Sequence, residues 1–112
     1  MSSNNNNESL LFTPLTIRGV TLRNRIVVSP MCQYSVANGD GIVGDWHLVA
    51  YGSFARGGAG LVMCEATGVE ARGRITPACS GLWDDSQIEP WARITRFIKL
   101  QGSVPGIQLT RW

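Results

Sequence analysis

The chain has 112 residues, a formal net charge of +2 and a hydrophobic share of 44%. This composition is that of a globular domain with a core of its own, which argues against intrinsic disorder. Its Lys and Arg residues are scattered, so the sequence offers neither a basic stripe for nucleic acid nor a polybasic anchor for a membrane. No apolar run approaches the roughly 20 residues needed to span a bilayer. We predict no nucleic-acid partner and no membrane partner.

The start of the chain and its cysteines bear on the domain bounds and on the cellular location of the protein. Residues 1–10 are polar and Asn-rich, without a basic segment followed by an apolar run, so they are not a secretory signal. We predict a disordered tail over residues 1–10 and one domain over residues 11–112. The cysteines are odd in number and lack a C-x-x-C spacing, which argues against a disulfide framework and a metal site. A reducing, cytoplasmic location fits this pattern best.

The first predicted elements are β-strands. Apolar and polar residues alternate over residues 15–17 and 20–22, and a glycine between them can supply the turn, which predicts a small hairpin. Residues 25–29 contain a β-branched run that is apolar on both faces. Such a run suits a buried parallel strand.

Two amphipathic helices are predicted, over residues 45–57 and 90–101. Asp45 can cap the start of the first helix, and Pro90 suits the first position of the second. Apolar residues at helical spacing form the expected buried stripe of each helix: Trp46, Val49, Ala50 and Phe54 in the first, and Trp91, Ile94 and Ile98 in the second.

An apolar strand follows each helix, at residues 60–65 and 104–109. This alternation predicts parallel pairing with right-handed crossovers, and hence an α/β fold. In a barrel of eight strand–helix units, reactive groups lie at the carboxyl ends of the strands. Cys32, Ala66 and Gln108 stand at those ends, so we expect the three to share one rim of the sheet.

The segment Ser-Pro-Met-Cys-Gln-Tyr-Ser at residues 29–35 resembles the old yellow enzyme family. Leu-Phe-Thr-Pro at 11–14 and Gly-Ile-Gln-Leu at 106–109 extend the resemblance over nearly the whole chain. The Cys32 and Tyr34 positions are similar to those of its bacterial, thermophilic-like class. The resemblance implies part of a TIM (β/α)8 barrel, an FMN cofactor, and hydride transfer from NADPH or NADH through the flavin to an α,β-unsaturated carbonyl compound. It also implies that full-length relatives form homo-oligomers.

The resemblance assigns roles to particular residues. Tyr34 matches a position that faces the substrate, and none of the 112 residues matches the proton-donating tyrosine of the family. From the residues alone, a buried Cys that ends a strand, a solvated Gln, and an aromatic ring covering the rim remain alternatives. The positions that match contacts to the isoalloxazine ring are Ser29, Pro30, Met31, Cys32, Ala66 and Gln108.

His47 is the single histidine of the chain. The resemblance implies a substrate-binding histidine pair, but that pair lies beyond residue 112, so we interpret His47 as a packing or partly exposed residue of the first helix. A complete barrel commonly needs about 250 residues. We therefore expect the chain to be the leading part of such an enzyme. The alternative is a truncated, inactive polypeptide with at most an interaction role.

Overall fold

The computed structural model describes residues 9–112. The predicted tail lies outside the described residues except for its last two, and Leu10–Phe12 forms a short 3-10 turn. An antiparallel hairpin follows, with β1 at Leu15–Ile17 and β2 at Val20–Leu22, as the alternation predicted. In its turn Arg18, rather than the neighbouring glycine, takes the left-handed conformation, with φ of 53°.

Three parallel strands form the main sheet, in the order β3-β4-β5. They are β3 at Val27–Val28, β4 at Leu61–Gly68 and β5 at Val104–Thr110. The predicted strands are confirmed, although β3 is shorter than expected. The Asn24 side chain accepts a hydrogen bond from the Ile26 N–H at 3.0 Å, and this local turn competes with strand pairing just before β3.

Two helices connect these strands, α1 at Asp45–Arg56 and α2 at Ile88–Leu100. Gly44, not Asp45, is the N-cap of α1, and its N–H donates to His47 Nδ1 at 3.0 Å. A 3-10 turn leads into α2, so Pro90 is the third residue of that helix rather than its first. Proline is tolerated there because first-turn N–H groups have no partner within the helix. Within the described part of the chain, no helix is long and apolar enough to cross a membrane.

The core lies between the sheet and the two helices. The predicted stripe of α2 is confirmed, but that of α1 is wrong, because Trp46 and Val49 are 60% and 65% exposed. Ala50 is half-buried and Phe54 lies at the surface. The buried face of α1 instead carries the polar side chains of His47 and Tyr51 beside the small Gly52 and Ala55. The side chains at the centre of the core are Tyr51, Ala55, Val62, Cys64, Trp91, Ile94 and Ile98.

Candidate functional site

The carboxyl ends of β3, β4 and β5 form one rim of the sheet. Ala66 and Gln108 are direct partners in the parallel ladder between β4 and β5. The loop after β3 reaches the same rim, because the Gln33 N–H donates to Glu65 Oε2 at 3.4 Å, one residue before Ala66. The prediction that Cys32, Ala66 and Gln108 share a rim is therefore confirmed. Their contact with a flavin stays a prediction.

A β-bulge at Glu65 decides which way Ala66 points. The pairing passes from Cys64 with Ile107 directly to Ala66 with Gln108, so Glu65 has no partner in β5. Side chains alternate along a strand, and without the extra residue Ala66 would point to the helices, as Cys64 does. The bulge turns Ala66 to the opposite face, where its partner Gln108 also points.

Small residues lie on this face of the sheet, close to the rim. Gly106 is two residues before Gln108, and a Cβ added to it would lie 2.3 Å from Met63 Sδ, so the space there is filled without a side chain. Ala66 is buried and Gln108 is exposed. The small Ala66 side chain beside an exposed amide, which offers both donors and an acceptor, suits a planar ring with polar atoms on its edge.

Cys32 and Tyr34 lie close together on the loop after β3. The Cys32 thiol raises the pKa of the Tyr34 hydroxyl, first through a side-chain hydrogen bond and then through charge repulsion. Tyr34 is half-exposed and has φ of 51°, a strained conformation for a residue other than glycine. Tyr34 therefore stands at the rim as a protonated hydroxyl group on a strained backbone.

The other residues that we predict to contact the flavin precede Cys32 on the same loop. Ser29 and Met31 are exposed and Pro30 is half-buried. The Met31 carbonyl accepts a hydrogen bond from Gln33 Nε2 at 3.0 Å, which folds the loop back on itself. These residues border the rim on the β3 side, whereas Gln108 borders it on the β5 side.

Below the rim lies a buried polar cluster of Glu65, Tyr51 and His47 that the sequence did not predict. All three side chains are at most 1% exposed. The Tyr51 hydroxyl donates to Glu65 Oε1 at 2.6 Å and accepts from the Glu65 N–H at 3.0 Å. His47 Nε2 lies 3.6 Å from the same carboxylate oxygen. A signal for this cluster was present in the sequence, since Glu65 directly follows an apolar strand and burial of Glu requires partners.

His47 is neutral in this cluster. Its Nδ1 accepts the Gly44 N–H, which requires a lone pair, so the ring proton is on Nε2 and faces Glu65. Burial lowers the pKa of His47 and raises the pKa of Glu65, the latter being opposed by hydrogen bonds from Tyr51 and Gln33. The interpretation of His47 as a packing residue of the first helix is confirmed, with the addition that it contacts a buried acid.

Comparison with known proteins agrees with this geometry. The sequence profile of the NADH:flavin oxidoreductase / NADH oxidase family matches residues 10–112. An NADH:flavin oxidoreductase of Gibberella zeae is 53% identical over 100 residues, which are 89% of this chain and 24% of the relative.

Two solved structures are also similar. The old yellow enzyme homologue from Zymomonas mobilis matches with a TM-score of 0.81 and 31% identity, over 92% of this chain and 28% of that one. Morphinone reductase in complex with tetrahydroNAD matches with a TM-score of 0.81 and 28% identity, over 93% of this chain and 28% of that one. The neighbours are TIM-barrel enzymes, and the hairpin and the parallel strands match part of that barrel. The chain spans about a quarter of the length of these relatives.

Proposed function

Because this chain belongs to the NADH:flavin oxidoreductase / NADH oxidase family, which includes the old yellow enzymes, we propose that it forms one wall of the flavin site of an ene-reductase. The family uses FMN and a nicotinamide partner. The proposed reaction moves a hydride from NADPH or NADH to the β-carbon of an α,β-unsaturated carbonyl compound. The observation that carries the proposal is the Ala66 and Gln108 pair on one face of the carboxyl rim.

FMN, when bound, supplies the ring that accepts and passes on the hydride. The residues of this chain would hold that ring from one side. The small Ala66 side chain lets a flat ring come close to the strand. The Gln108 amide, exposed at the end of β5, offers a donor pair and an acceptor to its polar edge. Ser29, Pro30 and Met31 would border the ring with backbone groups.

The Cys32 and Tyr34 side chains would face the reacting groups. A thiol is a weak hydrogen-bond donor, so Cys32 can tune the ring without competing for hydride. A tyrosine hydroxyl is protonated at neutral pH, so Tyr34 can donate a hydrogen bond to a substrate carbonyl and withdraw charge from the alkene. Three free thiols support a reducing, cytoplasmic compartment for the enzyme.

We further propose that these 112 residues alone are inactive. The predicted contacts cover one side of a flavin, and a ring open to water on its other faces is held weakly. Hydride transfer also needs substrate and ring held in near-attack geometry. The purified chain is expected to lose FMN on gel filtration and to leave NADPH unoxidised in the presence of a cyclohexenone-type acceptor. A yellow preparation that turns over NADPH would contradict this expectation.

A chimera tests the functional proposal itself. The matched 100 residues of the Gibberella zeae relative are replaced by the corresponding residues of this chain. The chimera should bind FMN and reduce cyclohexenone, and assays with NADH and NADPH give its preference. Gln108→Ala should weaken FMN binding by roughly tenfold, about the cost of one lost hydrogen bond. A colourless, folded chimera, or Gln108→Ala with unchanged FMN affinity, would refute the assignment.

A further inference from the structure

The central residue of the loop after β3, Gln33, is held on several sides. Its Nε2 donates to the Met31 carbonyl at 3.0 Å, and its Oε1 accepts from Trp46 Nε1 at 2.9 Å. Its own carbonyl accepts from Ser35 Oγ at 2.8 Å. One side chain thus joins the loop to the start of α1 and closes the loop on itself.

The Gln33 backbone is held from inside the core as well. Its N–H donates to Oε2 of Glu65 at 3.4 Å, while Oε1 of the same carboxyl group faces the Tyr51 hydroxyl and His47 Nε2. Glu65 is fully buried, and a buried carboxyl group is costly unless its oxygens have donors. Each carboxyl oxygen has at least one donor here. Among these donors, the Gln33 N–H is the one that belongs to the loop at the rim.

We propose that Glu65 and Gln33 are positioning residues for the loop after β3, which carries Cys32 and Tyr34. Glu65 holds the Gln33 backbone from within the core, and Gln33 in turn fixes Cys32 and Tyr34, which flank it at the rim. The left-handed conformation of Tyr34 fits this role, because a strained backbone persists only where its surroundings determine it. The importance of this positioning for catalysis rests on the proposed function, but the positioning itself concerns the loop alone.

Glu65→Gln separates the contact with the Gln33 backbone from the contacts with Tyr51 and His47 inside the core. The amide has one acceptor oxygen, whereas the carboxylate accepts on both sides. If the amide oxygen serves Tyr51 and His47, its NH2 group faces the Gln33 N–H, and two donors oppose each other. The substitution keeps the volume of the core and releases the loop. Glu70→Gln is the matched control, since it makes the same chemical change at a residue that pairs with two exposed arginines.

The cysteines give a direct readout that needs no cofactor. Cys32 is half-buried on the loop, whereas Cys64 and Cys79 are buried elsewhere. Alkylation of the 112-residue chain, followed by mass spectrometry of each cysteine peptide, reports loop release and core opening separately. Glu65→Gln should speed Cys32 alkylation roughly tenfold, as expected when a local contact is lost and the loop opens more often. Cys64 and Cys79 should stay protected in this variant, and all three rates should be unchanged in Glu70→Gln.

Gln33→Ala provides a second variant that leaves the core untouched. It removes the bonds to Met31 and Trp46, so it should also speed Cys32 alkylation. The double variant should be no faster than about the quicker single one, because both changes release the same loop. An unchanged Cys32 rate in Gln33→Ala would overturn the proposal. So would a joint rise of all three cysteine rates in Glu65→Gln, which would make Glu65 a core residue only. Failure of the chimera to bind FMN would leave these rates as they are, so the two proposals fail separately.

Discussion

The two ends of the parallel sheet use polar groups in opposite ways. At the amino-terminal end, Arg23 Nη2 donates to the carbonyls of Ala55 and Ala59 at 2.9 and 3.2 Å, and its Nη1 donates to that of Gln101 at 2.7 Å. Ser103 Oγ adds a bond to the Ala59 carbonyl at 2.6 Å. At the carboxyl end, Gln108 is exposed, two residues before the end of β5.

This contrast separates stability from reactivity within one small sheet. Helix ends leave carbonyls without partners, and a single guanidinium group donates to carbonyls at or just after the ends of α1 and α2. At the other end, a polar group with free hydrogen-bonding capacity can bind a ligand. Substitutions at the amino-terminal end should therefore lower the free energy of unfolding, and substitutions at the carboxyl rim should change the site with little loss of stability.

The largest expected effect is at Arg23. Arg23→Ala leaves three carbonyls and Ser103 without their charged donor, and it should lower the free energy of unfolding by about 3 kcal/mol. Urea unfolding measures the change. The control is Arg96→Ala, which removes an exposed ion pair with Glu89 and should cost less than about 1 kcal/mol. Equal costs at the two arginines would break the contrast between the ends of the sheet.

The same contrast explains what the sequence predicted well. The strands and α2 follow from periodic burial, because each strand is a short apolar run and the stripe of Trp91, Ile94 and Ile98 meets a single neighbouring surface. The family motif predicted which residues lie at the carboxyl rim. In α1 the strongest hydrophobic signal, at Trp46 and Val49, lies on the exposed side. Hydrophobicity alone ranks these residues above the tyrosine and alanine that the packing selects.

The geometry of the site depends on features that have no periodic signal. The bulge at Glu65 arises from pairing between β4 and β5, which a single strand sequence does not specify. The left-handed backbone of Tyr34 is imposed by the contacts of its neighbours, since its own side chain disfavours it. The contact of His47 with Glu65 joins residues 18 positions apart. Long-range contacts of this kind appear only when the elements have been packed together.

A smaller effect is expected from pH, through His47 below the rim. Its pKa is lowered from 6.5 by burial, so at acidic pH the unfolded chain takes up a proton that the folded chain refuses. The contribution of His47 to the free energy of unfolding is full above pH 6.5, and it is lost as the pH falls toward the pKa of His47 in the folded chain. Burial raises the pKa of Glu65, whose contribution is full below its unfolded pKa and declines as pH rises, so the two groups oppose each other.

A comparison of variants isolates the histidine. Between pH 7 and about pH 5.5, wild type should lose stability relative to His47→Gln, by up to about 1 kcal/mol. The glutamine keeps an acceptor for the Gly44 N–H. Urea unfolding at the two pH values gives the difference. A parallel pH dependence in both proteins would mean that His47 takes up its proton in the folded state, and that the buried cluster holds an ion pair.

The smallest effect is expected at Tyr34, where the strain is at the carboxyl rim. Tyr34→Gly and Tyr34→Ala both remove the half-exposed ring, so their difference reports the backbone alone. At φ of 51°, glycine should be the more stable by about 0.5 kcal/mol, since it relieves left-handed strain but costs more chain entropy. At Ala92 in α2, glycine should instead be the less stable by about 1 kcal/mol. Urea unfolding of these variants tests whether the difference in stability between glycine and alanine has opposite signs at the two positions. If alanine proves more stable than glycine at Tyr34, the strained loop conformation is wrong, and the rim stores no strain that the rest of the sheet lacks.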